Sequence, residues 1–424
     1  MLVRPVDFFG RKAMSLKRND VLHAAEVQTS IASFLTRCMC VAVALQIIAI
    51  LLFRNMPTAE SIEALFSYAG GVIFGTLVGV LVVQKKWGGV GLPISNVWHQ
   101  YNISERRIVA LAAILCVPLV PDAINTLILA MQQMNVRQSL LDDPTLKIVD
   151  PKILMLFGNA VYTLVIYYFI FLRGKSVAGI VLMTFFLFAK VMIYVSRTEV
   201  VILLFFYFFS VRHMFAPRKV LLAILMVVVI GLFTIFVQGR SEDRSFGHLL
   251  DVVVFYSAYF GYPPYLVSEV KNVFGDYSIA YAILGYPIDV LETFFGNFSG
   301  EIARHLNHIA TPSWVGFDLS GHEHYYANVL YPQYGLLFHS TGLLGVFAYY
   351  AAISLFIVVF DQLNPRYFFF WRVVAFVLIF ESARSHAIGL PGTWFLLISA
   401  LVFSTVLAGK FRARYAYAHT AIRV

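Results

Sequence analysis

Charge is scarce in this chain: only 13% of its 424 residues are Asp, Glu, Lys or Arg, against about 25% in a soluble domain. That scarcity excludes an ordinary water-soluble enzyme. With 60% hydrophobic residues and a mean hydropathy of +0.77, the composition is that of a polytopic membrane protein. Cysteine is scarce as well. Cys38, Cys40 and Cys116 all fall inside apolar runs, which excludes a disulfide framework and a thiolate metal site. The first 30 residues are polar and basic and lack an apolar core, so no cleavable signal peptide is expected. Walker A, HExxH, GxSxG and DxD patterns are all missing, which argues against nucleotide-powered chemistry and a metal-held nucleotide-sugar donor. His322 and His324 lack a recognisable third ligand, so neither a metal nor another cofactor is expected.

What the chain does have is apolar runs of membrane-spanning length. There are ten, at about 32–53, 64–84, 108–132, 153–172, 176–195, 197–211, 220–238, 335–360, 367–380 and 394–409. A span needs about 20 residues; the sixth and ninth runs are short and call for tilt, local thinning or burial in the bundle. The pattern predicts an all-α polytopic fold of about ten transmembrane helices. Three parts follow: 1–238 with the first seven helices, a polar stretch at 239–334, and 335–424 with the last three helices and a basic tail. The polar stretch is the longest that cannot sit in lipid. Its apolar and aromatic patches, as at 252–265 and 286–298, are too extensive for a free surface, so a helical cap docked on the bundle is expected.

Ten spans put both termini on one side. With that side cytoplasmic, its segments hold 19 Lys and Arg against 5 Asp and Glu, and the outer segments 10 against 17, as the positive-inside bias requires. The net charge of +9 is therefore a topology and membrane-surface signal, not a nucleic-acid footprint, and the cap lies outside. Four charges remain within the runs: Arg37, Asp122, Lys190 and Arg372. Arg37 and Arg372 lie near cytoplasmic ends and are expected to snorkel. Asp122 and Lys190 are candidates for a pair inside the bundle, a structural role weighing above proton coupling.

Three hairpins aim arginines at one outer depth. Ser196-Arg197-Thr198-Glu199 separates the fifth and sixth runs, with Arg197 at a helix start, where a guanidinium joins free backbone N–H groups and the positive helix end. Gly239-Arg240-Ser-Glu-Asp-Arg244 follows the seventh run, and Glu381-Ser-Ala-Arg384 follows the ninth. Arginine binds phosphate through a bidentate fork that lysine lacks. The competing reading pairs each arginine with a local acid or a lipid phosphate. Aromatic residues Tyr259, Tyr262 and Tyr265 surround Pro263-Pro264 and offer ring faces to sugars or to an interface belt. Further on, Glu323, His324, Tyr326 and Asn328 precede Gly342-x-x-Gly345, which reads as a helix start.

Together these stretches resemble the Wzy-type bacterial O-antigen and polysaccharide repeat-unit polymerases, relatives of the O-antigen ligases. The resemblance rests on 196–199 opening an apolar helix, 259–265 early in a large outer loop, 326–345 at the loop exit, and 381–384 before the last helix. The layout covers nearly the whole chain. The ligase pattern of a His-Asn pair before the Gly-x-x-Gly helix is not met, because Tyr331-Pro332 occupies that register; this favours polymerase over ligase. The resemblance implies a GT-C-like glycosyltransferase of the bacterial inner membrane. It would move a glycan from undecaprenyl diphosphate to a lipid-linked repeat unit on the periplasmic face, without a metal. Arg197, Arg240 and Arg384 would stabilise the leaving diphosphate. His324 is the first candidate for the base, then Glu323 and Glu381. Arg244, Glu323, Tyr259, Tyr262, Tyr265, Tyr326 and Asn328 would bind substrate. Implied partners are the undecaprenyl-diphosphate-linked oligosaccharide, membrane lipids and a chain-length-regulating membrane protein. The alternatives are a ligase-like transferase, a transporter or flippase of the lipid-linked oligosaccharide, and a structural membrane subunit.

Overall fold

A computed structural model of the chain describes residues 30–52, 56–86, 103–131, 146–172, 176–194, 198–210, 263–267, 279–295, 313–315, 325–327 and 331–421. The seventh apolar run, 220–238, lies outside them. The other nine runs are helices. In order they are α1 (Ile31–Leu52), α2 (Ala59–Lys86), and α3 (Glu105–Cys116), which continues through a 3₁₀ turn into α4 (Val120–Met131). Next come α5 (Pro151–Tyr167), extended by a π turn at Tyr168–Leu172, then α6 (Val177–Tyr194) and α7 (Thr198–Ser210). Three short helices fall within the predicted cap: α8 (Pro263–Val267), α9 (Ile279–Leu284) and α10 (Tyr286–Phe295). The last three runs are α11 (Gln333–Leu363), then α12 (Phe368–Ala375) leading through a π turn at Phe376–Glu381 into α13 (Ser382–Arg384), and α14 (Pro391–Ala421).

The helix starts follow local rules. Pro151 and Pro391 take first-turn positions, where the missing N–H costs nothing. Asp150 caps α5, its carboxylate accepting from the Lys152 N–H at 2.7 Å. Five stretches of the described residues are long and apolar enough to cross a membrane: 31–48, 59–85, 105–129, 151–172 and 333–363. Shorter apolar helices are 177–193, 199–210 and 391–406. Large apolar side chains such as Leu51, Leu81, Ile114, Val181, Leu344 and Val406 face outward, a surface that lipid covers and water would not tolerate. This is a multi-pass helical membrane protein.

The closest helix pair is α2 against α11. Gly71, Gly75 and Gly79 recur at four-residue spacing and form a smooth seam. A Cβ at Gly71 would stand 2.5 Å from the Phe347 carbonyl oxygen, one at Gly75 would fall on the Ala351 carbonyl, and one at Gly79 would meet Val358 Cβ at 2.9 Å. Small residues let backbones approach in lipid, where no hydrophobic effect drives helices together. The centre of the bundle is aromatic. Phe34, Phe206 and Phe209 meet edge to face, and Phe205, Phe209 and Phe376 close on Phe380 at 4.7–5.2 Å between centroids.

Several intramembrane polar groups sit differently from the sequence expectation. Asp122 does not pair with Lys190. Its two carboxylate oxygens accept from the Ile148 and Val149 N–H groups, each at 3.0 Å, and so pin the strand of chain that enters α5. Lys190 pairs with Glu199 instead, at 3.9 Å. Arg372 does not snorkel: it is 3% exposed, lies 3.8 Å from the buried Asp361, and stacks over Phe171 and Phe368. Half-buried Arg37 caps the carboxyl end of α7, its guanidinium 3.5 Å from the Phe208 and Phe209 carbonyls. Gly342 marks a helix start, though not the first in α11: a short helical head begins at Gln333, the helix breaks at Gly342, whose φ of 68° and ψ of −173° suit glycine alone, and a second helix runs on from there. Ser67 bridges the break by donating to the Leu343 carbonyl at 2.6 Å.

The cap is helical in its described parts, with one exception. A short antiparallel hairpin pairs β1 (Ser313–Val315) with β2 (Tyr325–Ala327), Trp314 opposite Tyr326. Helix α8 packs on α2 and α11, and α9 packs on α11 and on the 3₁₀ turn Ala387–Gly389. The end of the bundle that these segments cover is called here the cap end.

Candidate functional site

The cap end gathers the start of α11, the end of α13, the end of α6 and the start of α7. Of the predicted site residues, Glu381, Arg384 and Tyr265 are fully described. Glu381 closes the π turn, a helical irregularity that recurs at functional positions. One helical turn later comes Arg384, and its guanidinium donates directly to the Glu381 carboxylate. Their side chains are only 9% and 13% exposed. Ser385 then leaves the helix in an extended conformation, φ −151° and ψ 162°. The two residues predicted as separate catalytic groups are thus one buried ion pair.

A polar network fastens that pair to the rest of the bundle. Gln46 of α1 donates to the Ala383 carbonyl at 2.7 Å and accepts from the Tyr334 hydroxyl at 3.1 Å. Tyr334 stacks on Tyr68, which meets Tyr350 edge-on at 4.6 Å. Tyr68 donates to the Ile379 carbonyl at 2.9 Å, and the Tyr350 and Ser382 hydroxyls lie 3.2 Å apart. Gln333 donates to the Ala282 carbonyl and to the Tyr349 hydroxyl, which ties α9 to the head of α11. The residues 381–384 are therefore held from three sides by buried amides and hydroxyls, although Glu381 Oε1 and Gln333 Oε1 in this network are buried without a hydrogen-bond partner.

Beside it lies a second charged group. Lys190 pairs with Glu199, and Tyr162 donates to the Glu199 carbonyl at 2.6 Å. His386 is buried against Tyr281, ring centroids 5.2 Å apart, and burial pushes its imidazole down to about 4.

Tyr265 is half-buried in α8 and packs against the core. Tyr326 lies in β2, opposite Trp314. Arg197, Arg240, Arg244, Tyr259, Tyr262, Glu323, His324 and Asn328 lie outside the described residues. Sequence reasoning missed Gln46, Tyr68, Tyr162 and Gln333. A signal for Gln46 was present, since it is the one amide in an otherwise apolar run. The tyrosines carry no such mark, because rings at helical spacing read equally well as core. Chemically, the described part of the site offers two cations, two carboxylates and several hydroxyls largely shielded from water, where each charge acts more strongly than in water.

No family model, no curated protein and no solved structure matches the chain.

Proposed function

We propose that the chain is a membrane glycosyltransferase that joins lipid-linked oligosaccharides, a repeat-unit polymerase with a GT-C-like architecture of ten spans. The observation that carries this reading is the Glu381–Arg384 pair, held largely out of water at the cap end of a mostly apolar bundle. Burying a guanidinium there costs several kcal/mol unless it is paired. A permanently charged group in such a place suits a leaving diphosphate, whose tail anchors it in the adjacent leaflet and whose head group stays at the interface.

In the proposed reaction, the bond between the anomeric carbon of the growing glycan and the diphosphate oxygen breaks. A hydroxyl of a second lipid-linked repeat unit forms the new bond to that carbon and loses its proton to a base. The undecaprenyl diphosphate leaves with the electron pair. Arg384, with Arg197 and Arg240, stabilises the charge that builds on the diphosphate. As the diphosphate draws on Arg384, Glu381 is released to take the hydroxyl proton, so ion pair and base are two states of one device. Both termini face the cytoplasm of a bacterial inner membrane, the cap faces the periplasm, and a chain-length-regulating membrane protein is the natural partner.

The test is incubation of the purified full chain with an undecaprenyl-diphosphate-linked repeat unit. A ladder of products is expected, and lipid-linked units that stay single overturn the reading. A transporter or flippase is the second reading, favoured by the break of α11 at Gly342, because interrupted helices line transport sites. It predicts translocation of the labelled lipid in proteoliposomes with no ladder.

A further inference from the structure

At the cap end, that chemistry leaves Lys190 and Glu199 unused. Lys190 is 4% exposed, and its stem runs across the backbone of α5. A Cβ at Gly158 would stand 3.1 Å from Lys190 Cδ and 3.2 Å from Nζ, so the bare backbone at 158 makes room for the lysine. One turn further along α5, Tyr162 holds the backbone of Glu199. The pair itself is loose. At 3.9 Å the Lys190–Glu199 contact is beyond hydrogen-bond reach, and Glu199 Oε2 is buried with no partner. Glu381, the other carboxylate at the cap end, is held on one oxygen by Arg384, yet its Oε1 is also buried without a partner.

Two buried carboxylates therefore each keep one idle acceptor. An unsatisfied buried acceptor costs about 1–3 kcal/mol, more when charged, and calls for a donor. A diphosphate has only acceptors at this pH and cannot supply that donor. A sugar ring brings several O–H donors. We propose that Glu199, its charge balanced by Lys190, binds a hydroxyl of the incoming sugar beside Tyr162, in a polyhydroxyl subsite. This rests on the polymerase reading for the identity of the sugar, but not for the existence of the subsite.

The test exploits the energetics of buried pairs. Removing one partner strands a charge, whereas replacing both with neutral groups of similar volume is neutral or stabilising. The double variant Lys190→Met/Glu199→Gln should melt in detergent at or above the wild-type temperature. Its product ladder should fall about 10–100-fold, and so should its affinity in calorimetry for the repeat-unit oligosaccharide freed from its carrier, the range expected for losing a hydrogen bond to a charged group. A well-folded double variant that polymerises and binds like wild type overturns the subsite. If the double variant melts low, Glu199→Gln alone, which keeps the shape, carries the same comparison. Wild type that binds the free oligosaccharide in a Glu199-dependent way but makes no ladder overturns the polymerase and keeps the subsite. Wild type that does neither overturns both.

Discussion

Arg384 and His386 put opposite demands on the same turn. Arg384 must stay charged and buried, and it does so on Glu381. Arg384→Lys keeps the charge but loses the fork. The expected result is a normal amount of folded protein with a product ladder reduced about 10²–10³-fold, the usual cost of one transition-state donor. If folding and ladder fail together, Arg384 only fastens the bundle. His386 must stay neutral. Its value in the folded state is about 4, against about 6.5 when free. Between those values the unfolded state binds the extra proton, so stability from this group is full above pH 6.5 and declines as pH falls. From pH 7 to pH 5 the loss is about 2 kcal/mol. Melting curves of wild type and His386→Gln should therefore converge at pH 5 and separate at pH 7 in their pH trend, the variant being the flatter of the two. Equal slopes would remove His386 as the cause. In the sequence, Arg384 stood out as a base in the wrong loop, whereas His386 did not, because its burial depends on Tyr281 from a distant segment.

At the scale of elements, two devices hold the long helices together. The glycine seam of α2 brings backbone to backbone against α11, so Gly75→Val should force the pair apart at a cost of about 1–3 kcal/mol or more. A lower melting temperature of the purified variant checks this, and an unchanged one contradicts the seam. The Asp361–Arg372 pair, away from the cap end, clamps α11 to α12. Asp361→Asn leaves the guanidinium buried and should cost about 3–5 kcal/mol, while Asp361→Leu/Arg372→Met should recover most of it. A double variant as unstable as the single would mean that the two charges are not coupled. The breaks in regular helix fall at the candidate site and near the head of α11. The π turn at Phe376–Glu381 delivers Glu381 to the site, and Gly342 separates the buried head of α11 from a remaining stretch, Leu343 to Leu363, that alone matches the length of a span, about 20 residues.

For the whole molecule, contacts among the described residues set which helix ends lie together. Contacts at the cap end join the start of α7 with α5 and the end of α13 with α1, and contacts at the other end join the start of α1 with the end of α7. The proposed orientation follows from the positive-inside bias. With a cysteine-free background, Cys at position 278 should react with a membrane-impermeant maleimide in intact cells, and Cys at position 413 should react only after lysis. The reverse pattern would invert the molecule and place the site on the cytoplasmic face, where a periplasmic polymerase cannot work.

Membrane class and the placement of nine helices were legible in the residues alone, because apolar length, prolines at helix starts and turn-forming polar residues act over a few positions. Asp150, Pro151 and Pro391 marked helix starts without reference to anything remote. Pairing was another matter. Asp122 and Lys190 were equally plausible partners as letters, and each found another: Asp122 the N–H groups of Ile148 and Val149, Lys190 the carboxylate of Glu199. Arg372 had a route to the surface and went to Asp361 instead. Which side chains meet depends on how each helix is rotated about its axis, and that rotation is set by packing between helices far apart in the chain: Gly75 against Ala351, Gly158 under Lys190, Gln46 against Ala383. A local pattern can say that a residue is buried, but only the assembled bundle says beside what.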